Sequence, residues 1–232
     1  MTREPLRGRR GERLFWNVQS VTWDDLLQKP RHRLRLEAVL SLVTERGRPG
    51  DRVLDLGCGT GTYSVALAKA GFEVVGMDFA PSMLRRAEAK AGDLLGSRLR
   101  FERADFNRPL PFEDDCFDHV ICVCALHCVH DPPAFFVEVR RVLDRNGGFL
   151  LVALGGRGAE PASGHRLRTS APRRLFWWVK RRMARGTRWA RYSRVQLLGL
   201  LQGSGFDVER RLERGPAILV RPAGEAPAGT GR

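Results

Sequence analysis

Apolar and polar positions follow two different periods along the chain. Short apolar runs predict buried strands, which lie at about residues 52–56, 73–77, 98–103, 117–124 and 148–154. Apolar residues at helical spacing predict helices, which lie near residues 31–46, 60–70, 81–91 and 132–143. Since helices that alternate with strands connect parallel strands, the order predicts an α/β fold with a doubly wound, mostly parallel sheet.

The C-terminal part of the chain has a different pattern. Residues 195–203 predict a helix that ends at a glycine. Two further apolar runs, at 206–212 and 217–221, are joined around Gly215-Pro216 and predict a β-hairpin. The sheet is therefore expected to carry an antiparallel C-terminal hairpin.

The chain has 232 residues, which is enough for one substantial core. We expect an N-terminal cap segment at 1–30 and a single domain at 31–222. That domain contains a basic helical lid insertion at about 155–194, and a disordered tail follows at 223–232. There is no apolar run of 18 residues, and the basic N-terminus lacks an apolar segment, so the sequence predicts a cytoplasmic protein without a spanning helix.

The chain has five cysteines, an odd number, and all of them lie in the predicted core region. They are Cys58, Cys116, Cys122, Cys124 and Cys128. This pattern argues against a disulfide framework and for a reducing compartment. The spacing C-x-C-x-x-x-C matches no common zinc site, so no metal is predicted.

The net charge of +14 is unevenly distributed along the chain. Residues 51–160 contain 13 Lys and Arg against 16 Asp and Glu, whereas residues 161–206 contain 11 Lys and Arg and no acid. In the second segment, aromatic residues are interleaved with arginines. Candidate contacts to a substrate or partner are Trp177, Trp178, Arg181, Arg182 and Arg185.

Three interpretations of this basic segment remain open. It is a lid helix with solvated arginines, an interfacial helix on anionic lipid, or a face that binds nucleic acid. In each case a partner or substrate that uses the charge is anionic.

Three alternating glycines, Gly57, Gly59 and Gly61, directly follow the first predicted strand. Glycines leave no Cβ in the way, so a ligand can approach the backbone closely. Asp55 stands just before the loop and disfavours a phosphate, and Asp78 at the end of the next strand suits ribose hydroxyls. S-adenosylmethionine fits this site because it has a ribose, an ammonium and a sulfonium group but no phosphate.

Several segments, in order, resemble the class I S-adenosylmethionine-dependent methyltransferases. The motifs are D-L-G-C-G-T-G at 55–61, M-D at 77–78, A-D-F at 104–106, L-P-F-E-D-D-C-F-D-H-V at 110–120, A-L-H-C-V-H-D at 125–131, and V-R-R-V-L-D-R-N-G-G-F-L-L-V at 139–152. The resemblance covers residues 31–154 well and continues weakly to about 222. It implies a seven-stranded, Rossmann-like sheet, with a glycine turn before the fifth strand and the terminal hairpin at the antiparallel edge.

The resemblance also implies roles for individual residues. Cofactor-binding residues would be Asp55, Gly57, Cys58, Gly59, Gly61, Asp78, Phe79, Asp105 and Phe106. His127 and His130 are candidates for a catalytic base or a positioning group. Residues 15–26 resemble a stretch that closes over the cofactor, with Trp23-Asp24 where many relatives have a tyrosine-aspartate pair.

We therefore expect methyl transfer by in-line displacement to a small, anionic or amphipathic acceptor. One alternative is a tRNA or RNA methyltransferase that uses residues 166–194. Another is an enzyme located peripherally at the membrane that acts on a lipid or an isoprenoid-linked ring. A binding module without enzymatic activity is less favoured because Asp55, Asp78 and Asp105 are all present. The sequence does not predict the oligomeric state.

Overall fold

The computed structural model describes residues 6–152, 192–211 and 217–223. The α-helices in these ranges are α1 (Leu6–Leu27), α2 (Pro30–Thr44), α3 (Thr62–Lys69), α4 (Pro81–Ala91), α5 (Pro132–Val142) and α6 (Arg194–Gly203). Short 3-10 helices span Gly92–Leu94 and Leu126–Cys128. The predicted helices are thus present, with ends within two residues of the expected positions. Most of the predicted lid and nearly all of the tail lie outside the described residues.

The strands are β1 (Arg52–Leu56), β2 (Glu73–Asp78), β3 (Leu99–Arg103), β4 (Phe117–Val123), β5 (Leu143–Val152), β6 (Phe206–Arg211) and β7 (Ala217–Pro222). In the described residues they form one sheet in the order β3-β2-β1-β4-β5-β7-β6. Strands β1 to β5 run parallel to one another, and β7 runs antiparallel to both of its neighbours, β5 and β6. The predicted α/β class and the antiparallel hairpin are confirmed.

The fifth strand begins earlier than the sequence predicted. It starts at Leu143, directly after α5. The prediction of a glycine turn before the strand is wrong, because Gly148 lies inside the strand and pairs with His119. Leu143 pairs with Phe117, and both side chains are 1% exposed, so hydrophobic burial extends the strand toward the helix. A register irregularity between Phe117 and His119 accommodates the intervening residues of β5.

The sheet separates two hydrophobic clusters. One contains Leu54 of β1 with residues of α5 and α6, such as Phe136 and Leu201. The other contains Val53, the neighbouring residue of β1, with residues of α2 and α3 such as Val39 and Leu67. Since neighbouring strand residues point to opposite faces, β1 supplies both clusters and is buried on both sides. Among the described helices, none is both long enough and apolar enough to cross a membrane.

Candidate functional site

The carboxyl ends of β1, β2 and β4 meet at one edge of the sheet, where parallel α/β proteins bind their ligands. The loop after β1 is attached to the neighbouring strand, because the backbone N–H groups of Gly57 and Cys58 both donate to the Met77 carbonyl, at 2.8 and 3.0 Å. Cys58 is buried, and burial raises the pKa of its thiol well above the usual range. The thiol is therefore a neutral packing group in this loop.

Two of the three glycines are required by their surroundings. Gly57 has φ +72°, and a Cβ there would lie 2.5 Å from the Cβ of Ala125. Gly61 has φ +73°, and its Cβ would lie 2.8 Å from the Cβ of Ala87 and 2.9 Å from Phe101. Side chains at these positions would push apart β1, α4 and the segment after β4. The loop therefore presents bare backbone at the centre of the site, with the third glycine, Gly59, between them.

Asp55 at the end of β1 is 1% exposed and accepts a hydrogen bond of 2.6 Å from the Ser64 hydroxyl. Burial raises its pKa to about 7, the Ser64 hydrogen bond opposes this shift, and the charge of Asp78 adds to it. Among the ion pairs of the described residues, none includes Asp55. A cationic ligand group next to this carboxylate would supply the missing opposite charge.

Asp78 has a structural contact that the sequence did not indicate. Its two carboxylate oxygens accept hydrogen bonds from the backbone N–H groups of Gly59, at 3.0 Å, and Ala80, at 2.8 Å. Burial raises its pKa to about 6, although these hydrogen bonds act in the opposite direction. Each oxygen keeps a further lone pair, so the predicted contact to ribose hydroxyls stays compatible with this geometry.

Next to Asp78, a small cavity combines predicted and unpredicted residues. Its lining consists of Glu12, Phe79, Asp105, Phe106, Asn107 and Cys128. Asp105 Oδ1 accepts hydrogen bonds from the backbone and side-chain nitrogens of Asn107, at 3.0 and 3.2 Å. The side-chain oxygen of Asn107 in turn accepts from the backbone N–H of His130 at 2.7 Å. Asn107 thus joins the segments after β3 and β4, and no sequence motif had marked it.

Helix α1 places two tryptophans over the site. Trp16 and Trp23 meet edge to face with ring centroids 5.4 Å apart, and Trp16 lies 5.9 Å from the His127 ring. The indole nitrogen of Trp23 lies 3.3 Å from where a Cβ of Gly59 would stand. Trp16, Trp23 and His127 together form an aromatic roof from the glycine loop to the end of β4.

Polar contacts attach α1 at three points along its length. Asp24 Oδ1 accepts from the Thr60 hydroxyl at 2.6 Å and from Lys90 at 2.7 Å. Asn17 Oδ1 accepts from the backbone N–H of Ser82 at 3.1 Å, and Glu12 pairs with His130 at 3.4 Å. The helix therefore connects the loop after β1, the first turn of α4 and the segment after β4. In the Trp23-Asp24 pair, the Trp23 indole lies over the glycine loop, and the Asp24 carboxylate binds the Thr60 hydroxyl of that loop.

The two candidate histidines occupy different environments. His127 is 7% exposed, and burial lowers its pKa to about 4, so its ring is neutral at neutral pH. His130 lies at the rim, where 37% of its side chain is exposed beside Glu12. Because His127 contacts Trp16 under α1, it is the stronger candidate of the two for a base or a positioning group.

Sequence reasoning missed a further cluster at the ends of β1 and β4. An Nη atom of Arg35 donates to the Cys124 sulfur at 2.9 Å, and the Arg35 side chain also hydrogen-bonds Tyr63. In the sequence, Arg35 is one polar position of the helix predicted near residues 31–46, and its spacing does not distinguish it from the other polar residues of that helix. The predicted contacts Trp177, Trp178, Arg181, Arg182 and Arg185 lie outside the described residues.

The donor set of this site fits S-adenosylmethionine. A bare glycine loop would take the methionyl part, the buried Asp55 suits its ammonium group, and Asp78 suits the ribose. Phe79 and Asp105, which line the small cavity, would supply an apolar wall and a hydrogen-bond acceptor for the adenine. Within the described residues, no group of three or more His, Cys, Asp or Glu side chains is arranged to hold a metal ion.

Comparisons with known proteins agree with this geometry. A family model described as a methyltransferase domain matches residues 48–163, half of the chain. A demethylmenaquinone methyltransferase from Beutenbergia cavernae is 39% identical over 130 residues, which cover 56% of this chain and 50% of that protein. Another from Clavibacter sepedonicus is 42% identical over 103 residues, which cover 44% and 40% of the two chains. The chain thus matches no more than half the length of these two relatives.

A solved structure extends the likeness over more of the chain. A SAM-dependent methyltransferase from Aquifex aeolicus superposes with a TM-score of 0.60 and covers 84% of this chain and 94% of its own. Its sequence is 22% identical, so this likeness concerns the fold.

Proposed function

We propose that this chain, which belongs to the methyltransferase-domain family, is an S-adenosylmethionine-dependent methyltransferase whose acceptor is a flat apolar ring carried on an isoprenoid chain. The aromatic roof of Trp16, Trp23 and His127 is the observation that carries this proposal. A flat ring stacks well against aromatic side chains, and the neutral imidazole places no charge beside it.

The names of the relatives favour the same acceptor class. Three demethylmenaquinone methyltransferases are 36–42% identical to the matched part of this chain. Their names specify an isoprenoid quinone, which combines a flat ring with an apolar chain.

Each residue group has a distinct part in the proposed reaction. When bound, S-adenosylmethionine supplies an electrophilic methyl group for in-line displacement. Asp55, the glycine loop and Asp78 hold the cofactor, and the two tryptophans of α1 exclude water from the site. The neutral His127 accepts a hydrogen bond from a ring hydroxyl of the acceptor and so orients the ring or takes its proton.

A tritiated-methyl assay tests the acceptor class directly. The full chain is incubated with labelled S-adenosylmethionine and three separate acceptors: a reduced demethylmenaquinone analogue with a short prenyl chain, a soluble phenolic acid, and bulk tRNA. We expect label in the prenylated quinol. The oxidised quinone is the matched control, because it lacks the hydroxyl that His127 would contact.

The other outcomes of this assay have definite meanings. Label only in the phenolic acid would overturn the isoprenoid part of the proposal. Label only in tRNA would instead support the RNA alternative, for which residues 161–206 supply 11 basic residues and no acid.

A further inference from the structure

Gln19 is a buried polar residue on the side of α1 that closes the site. The residue is 5% exposed, and its Oε1 atom is buried. Among the residues that the structure describes, no donor lies within hydrogen-bonding distance of this oxygen. A buried acceptor without a partner destabilises the folded protein, because water satisfies the same oxygen in the unfolded chain. The Gln19 amide is therefore unfavourable for folding alone and suits a ligand.

The spacing along α1 places Gln19 among residues that face the site. Residues 12, 16, 19 and 23 follow one another at intervals of four, three and four, so they form one stripe of the helix. Glu12 lines the small cavity, and Trp16 contacts the His127 ring. Trp23 lies over the glycine loop. Gln19 stands between the two tryptophans of this stripe, on the inner side of the aromatic roof.

Three polar neighbours of Gln19 on α1 do have partners within the protein. The Ser20 hydroxyl donates to the Asn17 carbonyl at 2.8 Å, and the Asn17 side chain accepts from the first turn of α4 at 3.1 Å. Asp24 accepts from the loop after β1 at 2.6 Å. Attachment of the helix thus uses these neighbours and leaves Oε1 of Gln19 for another donor.

The surroundings of this oxygen favour a hydroxyl as that donor. Oε1 can only accept, so a group that meets it has to donate a hydrogen bond. A cation would lose its hydration between two tryptophans without gaining an opposite charge from the amide. A hydroxyl avoids this cost, and it also suits the rotated amide, because its oxygen can accept from Nε2.

We propose that Gln19 binds a second ring hydroxyl of the methyl acceptor, at a different ring position from the hydroxyl that His127 contacts. Gln19 then selects dihydroxy rings over monohydroxy rings, because a ring without the second hydroxyl leaves Oε1 buried and unpaired. The inference rests on the proposed function, from which it takes the flat ring and its stacking on the tryptophans. It adds the contact that recognises the second hydroxyl.

Binding measurements separate this contact from the methyl-transfer step. The ligands are the reduced demethylmenaquinone analogue with a short prenyl chain and the two prenylated naphthols that each keep one of its hydroxyls. Calorimetry under anaerobic conditions gives their dissociation constants on the full chain in complex with S-adenosylhomocysteine, from which no methyl group can be transferred. The proteins are the wild type and Gln19→Met, which removes the amide and keeps a side chain of similar length.

We expect the variant and the missing hydroxyl to have the same effect, as in a double-mutant cycle. Gln19→Met should weaken the dihydroxy ring by about fivefold to thirtyfold. It should weaken one naphthol by a similar factor and leave the other, which lacks the hydroxyl for Gln19, unchanged. Affinity for S-adenosylhomocysteine should stay as in the wild type.

Three further variants make the experiment specific. Gln19→Glu keeps an accepting oxygen and should recover part of the preference for the dihydroxy ring. Gln19→Leu removes the amide with a different side-chain shape and keeps the test available if Gln19→Met does not fold. Gln28→Met is the matched control, because it makes the same change at an exposed glutamine directly after α1. It should leave all affinities unchanged.

Thermal stability without ligand gives an independent readout. Gln19→Met should raise the melting temperature by about 2 to 5 °C, because it removes a buried oxygen that has no partner. If Gln19→Met and Gln19→Leu both lower the melting temperature, Oε1 has a partner within the protein, and the proposal is overturned.

Three binding results would also overturn the proposal. They are unchanged affinity for all three rings, an equal loss for all three, and weaker binding of S-adenosylhomocysteine, which would assign the amide to the cofactor. A wild type that binds none of the rings contradicts the proposed acceptor class, and the Gln19 contact is then overturned with it. That failure is seen in the wild type, whereas a failure of the Gln19 contact alone is seen only in the variants.

Discussion

Asp55 and Asp78 are the residues at which folding and ligand binding make opposite demands. Both are buried, and burial raises the pKa of each carboxyl. For Asp55 the folded pKa of about 7 lies above its usual value of 3.8. Its favourable contribution to folding is complete below pH 3.8 and is lost as the pH rises through 7. At neutral pH and above, the ionised carboxylate destabilises the protein without ligand and is available for a cation.

Asp55→Asn should therefore stabilise the protein without ligand at pH 8, by at most about 4 kcal/mol. The gain should shrink at pH 5, where Asp55 of the wild type is mostly protonated. The same variant should weaken binding of S-adenosylmethionine, because the ammonium group loses its counter-charge. Thermal melts at the two pH values, together with calorimetry, measure both effects. A stability difference that is equal at pH 5 and pH 8 would contradict the buried-charge explanation.

His127 makes the opposite contribution to pH dependence. Burial lowers its pKa from 6.5 to about 4, so its contribution to folding stability is present above pH 6.5 and is lost as the pH falls toward 4. Replacement by Phe should reduce the acid-induced loss of unfolding free energy between pH 7 and pH 4 by up to about 3 kcal/mol. Urea titrations across this range measure the difference.

Leu126→Ile is the control for this experiment, because this buried neighbour of His127 carries no titrating group. It should leave the slope of stability against pH as in the wild type. A His127 variant with an unchanged acid slope would show that the ring is not held neutral by burial.

At the scale of elements, α1 determines how the site is closed. The sheet and its loops supply the glycine loop and the acids, but the two tryptophans of the aromatic roof and the polar contacts of Glu12, Asn17 and Asp24 come from α1. Helix packing alone does not explain this placement, since the contacts at Glu12, Asn17 and Asp24 are polar. The helix is attached to the loops that hold the ligand, so ligand binding and the position of α1 should be coupled.

Asp24→Asn tests this coupling. The change weakens the contacts to Lys90 and Thr60, and because the Asp24 and Lys90 side chains are each 33% exposed, we expect a loss of only about 1 kcal/mol. Amide exchange in residues 6–27 should become faster, and affinity for S-adenosylmethionine should fall about fivefold. Asp25→Asn is the matched control, because Asp25 is the next residue of α1 and its carboxylate is exposed. Equal behaviour of the two variants would mean that the Asp24 contacts do not hold the helix.

At the scale of the whole molecule, the charge is divided between two parts of the sequence. The region that forms the cofactor site is slightly acidic, whereas residues 161–206 supply 11 positive charges without an acid. An isoprenoid-linked acceptor resides in a membrane, and anionic lipid attracts basic segments. We therefore expect the basic segment to attract the protein to anionic lipid, a task that the cofactor site does not share.

Replacing Arg181, Arg182 and Arg185 by Gln should leave S-adenosylmethionine affinity unchanged and reduce association with anionic phospholipid vesicles severalfold. Cosedimentation and calorimetry measure the two properties. The matched control replaces three exposed arginines of the described core, Arg33, Arg48 and Arg86. If neither triple variant changes vesicle association or turnover, the arginines of the basic segment are solvated and serve neither lipid nor acceptor.

Much of the architecture could be predicted because its signals are local. Strand and helix periods depend on neighbouring residues, and strands β1 to β4 begin and end within one residue of the predicted positions. Strand β5 was predicted to start too late, because the polar stretch before Phe149 masked a strand whose start depends on the pairing of Leu143 with Phe117. That pairing is a tertiary contact, and no local pattern contains it.

The α/β fold, the glycine loop and the acids at the ends of β1 and β2 follow from the amino-acid sequence, because each of these depends on residue types at short spacing. Which groups meet at the site follows from the packing of the helices on the sheet. It brought Trp16 over His127, placed Asp24 on Thr60, and set Arg35 against Cys124, 89 residues away in the chain. These contacts depend on how α1 and α2 pack against the finished sheet, and such packing leaves no periodic trace in the sequence.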